Sequence, residues 1–236
     1  MRRVLLCAIW LAAVSPTPVH AQDMFWSTTL PAVTGTDTLG RTLHDLMEQQ
    51  RSGSAASGQA PVAATFRYHP SSERRAANFA RFLAKTRASD PQGAEDLAKL
   101  FASTDLIEAM RAPLAAAGLR IDDVADAYSA WWISAWQASR GVDGDVSRRM
   151  GTAVRAQAAQ APATSGLLRG TSDAAKQEMA EALLIQAALI AAAMEQSQGN
   201  PATSQQIAAA VSHGARTMKV DLARMTLTEN GFVPAD

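Results

Sequence analysis

From Phe66 onward, apolar positions recur at three- and four-residue spacing, and each run is opened by a residue type that caps helices. Ser71 or Ser72 opens a helix to about Arg87, with Phe79, Phe82 and Leu83 on its stripe. Asp90-Pro91 starts a second, with proline in its first turn, carrying Leu97, Leu100 and Phe101. Ser103 or Thr104 opens a third, holding Leu106, Ile107, Met110 and Leu114 and stopping at Gly118. Asp122 or Asp123 opens a fourth that ends before Gly141, and Asp143 or Asp145 opens a fifth, more polar helix to about Ala161. Thr171 or Ser172 caps a long helix to about Gln198. After Asn200-Pro201 a final helix runs from about Ala202 to Glu229. No convincing strand and no fixed-length repeat interrupts this series. The pattern predicts an all-α fold, a single globular domain of six to seven helices over residues 65–236.

Two of these helices stand out. The run Leu183–Met194 is apolar on nearly every face, which predicts a central, buried helix rich in Ala and Leu. Twelve such residues are too few to span a bilayer, which takes about 20. In the fourth helix, Ile121, Val124, Ala125, Tyr128, Trp132 and Ala135 form one stripe, with Trp131 and Trp136 at its edges. Core packing accounts for the stripe. The edge tryptophans are candidates for a groove that takes a peptide, lipid or glycan. Asp126 points away from the stripe and is a further binding candidate.

Upstream of this domain the pattern changes twice. Residues 1–21 read as a cleaved signal peptide, with Arg2 and Arg3 ahead of the apolar run Val4–Val14 and a Val19-His20-Ala21 cleavage site before Gln22. The expected destination is the periplasm or the exterior of a bacterium, with no transmembrane span after cleavage. Residues 22–64 read as a flexible arm rich in Gly, Ser and Ala towards its end. One amphipathic helix is expected within it, at about 37–50, from Leu39, Leu43, Leu46 and Met47. Such a short helix needs a surface to dock on, its own domain or a partner.

Composition narrows the chemistry. Loss of Arg2 and Arg3 leaves 20 Lys and Arg against 22 Asp and Glu, a balance that disfavours nucleic acid as a partner. The single cysteine, Cys7, leaves with the signal, so disulfides, thiol catalysis and cysteine-based zinc sites are excluded. Charge is segregated: residues 66–87 hold six Lys and Arg against Glu73, and 90–126 hold eight Asp and Glu against three Lys and Arg. Complementary pairing between neighbouring helices explains this economically. The sharper reading makes Arg67, His69, Arg74 and Arg75 an anion site beside a helix N-terminus.

Histidines 44, 69 and 213 stand apart from one another and from carboxylates at metal-binding spacing, so no metal and no cofactor is expected. HExxH, EF-hand, GxSxG and phosphate-loop patterns do not occur, and no catalytic residue is assigned.

Tyr68-His69-Pro70 with Arg74, then Leu97-x-x-Leu100-Phe101, Gly118-Leu119, Val124-Ala125-Asp126-Ala127, and Trp132 with Trp136, resemble a family of secreted bacterial helical proteins known as a domain of unknown function. The resemblance covers residues 66–236. It implies a bacterial, envelope-directed, helical protein and transfers no activity, ligand or catalytic residue. The expected function is a non-enzymatic periplasmic or secreted interaction module, meeting an envelope protein through the arm or the helical domain. The alternatives are a small-ligand or anion-binding protein and, third, a hydrolase of envelope polymers.

Overall fold

A computed structural model describes residues 66–165, 168, 170–218 and 220–235 of the 236-residue chain. The expected leader (1–21) and arm (22–64), with its helix at 37–50, lie outside the described residues. The elements are α1 (Ser72–Ser89), α2 (Pro91–Ser103), α3 (Leu106–Ala109), α4 (Arg111–Ala116), α5 (Val124–Arg140), α6 (Arg148–Ser165), α7 (Asp173–Gln196) and α8 (Pro201–Thr217), then β1 (Met225–Thr228) and β2 (Gly231–Pro234). Met110 caps the end of α3 and the start of α4, so these two form one broken helix, and the described residues hold seven helices. The fold is all-α with one small hairpin.

Short polar side chains start the helices because the first turn leaves N–H groups without partners. Ser71, Asp90, Asp123, Ser172 and Asn200 each accept a hydrogen bond from a first-turn N–H. Two starts differ from expectation. Asp105, not Ser103 or Thr104, caps α3. Ser147, whose hydroxyl accepts from Met150 N at 3.1 Å, caps α6, so Asp143 and Asp145 remain in the loop before it.

Two helices share the centre. α7 packs against α1, α3, α5 and α8, as its all-round apolar pattern predicts. α5 is the more enclosed: 12 of its 17 residues are buried, against 12 of 24 in α7. Among the described residues, α7 alone is long and apolar enough to cross a membrane by length and composition. Most of its apolar window is buried inside the domain, as for any core helix. The two run in the same direction. The chain at Arg67–Ser71 bonds to the starts of both, and Gln198 after α7 meets Asp143 after α5.

The expected helix to Glu229 is corrected: α8 ends at Thr217, and an antiparallel hairpin follows, pairing Thr228 with Gly231 and Leu227 with Phe232. Gly231 takes φ +90° just after the Glu229–Asn230 turn, a conformation that favours glycine. The hairpin closes over the tryptophans of α5. Phe232 stacks on Trp132 with ring centroids 4.4 Å apart, and Trp136 Nε1 donates to Met225 O at 2.9 Å. Gln157 on α6 holds the outer edge of β2, accepting from Phe232 N and donating to Phe232 O, both at 2.8 Å.

Candidate functional site

The basic cluster comes together as expected, and its members are answered by acceptors inside the protein. Residues 66–68 run antiparallel beside 122–124, with Tyr68 N donating to Asp122 O and Val124 N to Phe66 O. Arg67 meets Asp122 at 2.9 Å, and Arg120 holds the same carboxylate. Burial works against the Asp122 charge, but the two guanidiniums outweigh it and hold the carboxyl below its usual range. His69 contacts Asp173 through both its backbone N–H and its ring, which lowers the pKa of that carboxyl. Arg74 binds Gln177 Oε1 at 2.8 Å and the carbonyl of His69.

Arg75 goes deepest. Its guanidinium meets Glu181 at 3.0 Å, Asp105 at 2.6 Å and Glu108 at 3.2 Å. Burial disfavours its charge, and the hydrogen bonds to Glu181 and Asp105 more than reverse that, so it stays protonated. Glu181 is fully buried and also accepts from Asn78 at 2.6 Å and Gln177 at 2.9 Å. Pairing between helices therefore describes this cluster, although half of its acidic partners lie on α7 rather than within residues 90–126. Each guanidinium here has at least one acceptor inside the protein, although Arg67 stays more than half exposed.

Asp126 is buried against α6. Its Oδ1 lies 2.8 Å from Arg155 Nε, out of line with the N–H, so that oxygen accepts no hydrogen bond. Burial, then the neighbouring Asp123 charge, push its pKa up to about 7 against the pull of Arg155. A buried carboxyl with a raised pKa beside a second carboxylate is raw material for acid–base chemistry. Both are buried, neither lines the groove described below, and so they serve the fold. Trp131 is also buried, packed by Tyr128 with ring centroids 5.4 Å apart, and Trp136 lies half-buried under Phe232. Neither tryptophan borders the groove.

The open site lies at the other end of the α5–α7 pair. There a groove of about 500 Å³ opens between α4, α5, α7 and the loop at 142–146. α5 presents Ala130, Ile133 and Ser134 to it, and α7 presents Ala187, Ala191 and Met194. Leu114 and Ala117 form the α4 wall. That wall is fixed from behind, since a Cβ on Gly151 of α6 would fall 2.1 Å from Ala117 O. Alanines facing each other across α5 and α7 leave the space that larger side chains would fill.

The mouth is acidic. Asp143 and Asp145 on the loop and Glu195 on α7 line it, and no Lys, Arg or His does. Gln137 Nε2 donates to Gly144 O at 2.7 Å and Gln198 Nε2 to Asp143 at 3.3 Å, which holds the loop at the groove edge. The carboxylates of Asp145 and Glu195 make no hydrogen bond or ion pair with another described residue.

With this geometry in place, the comparison of sequences carries weight. The pattern of a family of unknown function (DUF6683) matches residues 1–234. The chain belongs to this family. The DUF6683 match includes the first 65 residues, so it extends beyond the 66–236 over which the resemblance was expected. No curated protein and no solved structure matches the chain.

The residues through which the resemblance was seen are mostly structural: Tyr68, Leu97, Leu119, Val124, Ala125, Ala127 and Trp132 are buried, and Gly118 takes φ +78° at the end of the broken helix. They report how a DUF6683 domain folds rather than what it binds. Sequence reasoning missed the groove. Its available signal was the set of small residues on facing sides of two core helices, together with two aspartates that turn out not to cap a helix.

Proposed function

We propose that this protein is an exported, non-enzymatic binding module of the bacterial envelope, periplasmic or secreted, that takes a small ligand with an apolar body in the α4–α5–α7 groove. The groove carries this reading: its volume of about 500 Å³ falls in the range of small-molecule sites, about 300–1,000 Å³, and its floor is apolar. The leader-like residues 1–21 support the export part. A protein partner has less support on this surface. Among the described residues, Val142 and Val233 are the large apolar side chains that stand exposed, far short of an interface patch. The anion-site reading has less support than the groove, because Arg67, Arg74 and Arg75 each bond to acceptors inside the protein.

The test is calorimetric titration of the full chain with octyl glucoside and with octyltrimethylammonium, both below micelle formation. At least one should bind saturably with one site, and Ala191→Trp, which fills the groove, should abolish that binding while keeping cooperative unfolding. Saturable binding that survives Ala191→Trp contradicts the assignment.

A further inference from the structure

Resting on the groove being the binding site, we infer that its ligand is a cationic amphiphile: an aliphatic body on the apolar floor and an ammonium head held by Asp143, Asp145 and Glu195. Two observations point the same way. The charged side chains at the mouth are all acidic, and those of Asp145 and Glu195 are unpaired among the described residues. At the opposite end of the same two helices, Asp105, Glu108, Asp122, Asp123 and Glu181 each meet an arginine. Like charges gathered at one rim repel, and a cation seated between them relieves that repulsion.

The floor defines the rest of the ligand. Its walls are mainly Ala, Leu, Ile, Val, Met and Pro with Ser134 among them, and among the described residues no aromatic side chain lines it. A flat ring or nucleobase would find nothing to stack on, and the ammonium would be read by carboxylates rather than by an aromatic cage. Nucleotides and other phosphate esters are disfavoured by the sign of the rim. Polar recognition inside is sparse, because the amide of Gln137 already donates to Gly144 O. An alkyl or branched aliphatic chain matches this lining.

The chain's own arm is a poor occupant. Residues 22–64 carry Arg41 and Arg51 against Asp23, Asp37, Asp45 and Glu48, a net negative charge that the acidic rim would repel. A protein segment is disfavoured because, among the described residues, no exposed large apolar side chain continues from the groove beyond Val142.

The experiment compares three probes with one tail and three heads: octyltrimethylammonium, octyl glucoside and octyl sulfate, titrated below micelle formation into the full chain at low and high salt. The cationic probe should bind about tenfold tighter than the neutral one at low salt, with octyl sulfate weakest, and the advantage should shrink as salt is added. In the double variant D145N/E195Q the cationic probe should lose its advantage over octyl glucoside. Equal affinity for the cationic and neutral probes in the unmodified protein, or a preference for octyl sulfate, overturns the cationic ligand and leaves the groove as an apolar site. If none of the three binds, the groove itself is refuted as the binding site and the inference falls with it.

Discussion

The two ends of the α5–α7 pair are built from the same helices and treat charge in opposite ways. At the starting end, Arg75 and Glu181 are buried together, and Asn78, Gln177, Asp105 and Glu108 complete their hydrogen bonds. At the far end, Asp145 and Glu195 stand at the mouth of an alanine-lined groove without partners among the described residues. A buried charge is tolerated only when it is paired, and an exposed carboxylate costs little when it is not. The contrast separates residues that hold the fold from residues free to meet something else. By that criterion the conspicuous basic cluster reads as framework, and the inconspicuous alanine-rich end is the proposed site.

The largest effect that would sharpen this contrast is Glu181→Leu. It removes the buried acceptor of Arg75 Nε and leaves Asn78 Nδ2 and one N–H of the Gln177 amide without the carboxylate they donate to. Denaturant unfolding should show a loss of about 3–5 kcal/mol, whereas Asp145→Asn at the groove should stay within about 0.5 kcal/mol of the unmodified protein. A small loss for Glu181→Leu would erase the distinction between the two ends.

A smaller effect is expected in the pH dependence. Asp126 holds its proton to about pH 7 in the folded protein, whereas the unfolded carboxyl ionises near its ordinary value of about 4. Between those values the folded state binds more protons, so stability should fall as pH rises from about 4 to about 7 and level off above. Asp122, with its lowered pKa, acts in the opposite sense, and only on acidification below the usual carboxylate range. Asp126→Asn should flatten the neutral-side slope, as read from unfolding midpoints between pH 4 and 8. An unchanged slope would mean that the burial of Asp126 carries no proton linkage.

The smallest effect concerns Tyr128, whose buried hydroxyl has no hydrogen-bond partner among the described residues. Tyr128→Phe should leave stability unchanged or raise it by up to about 1 kcal/mol in the same unfolding assay. A clear loss would reveal a partner for that oxygen.

Much of the framework was legible in the sequence because local chemistry dictates it. Ser71, Asp90-Pro91 and Asn200-Pro201 fix helix starts whatever the tertiary context, and the Leu183–Met194 run has no face to expose. The failures have equally local causes. Asp143 and Asp145 have the side chains of helix caps, but Ser147 won that role and left them on the loop. The terminal hairpin was hidden because Asn230-Gly231 carried the turn signal while the preceding residues still read as helix. Trp136 looked like a groove residue because its coverage comes from elements distant in sequence, Phe232 and Met225. The groove is an absence of side-chain volume between Ala130 and the Ala187–Ala191 face, and periodicity counts what is apolar, not what is missing.

The account is tested most directly by following the backbone amides of the full chain by NMR while octyltrimethylammonium is added below micelle formation. It predicts shifts confined to residues 110–119, 130–137, 142–146 and 187–198, with the amides of residues 67–75 and 123–126 unmoved. Shifts centred on the Arg67–Arg75 cluster would place the ligand at the wrong end of the helix pair and contradict the division between framework and site.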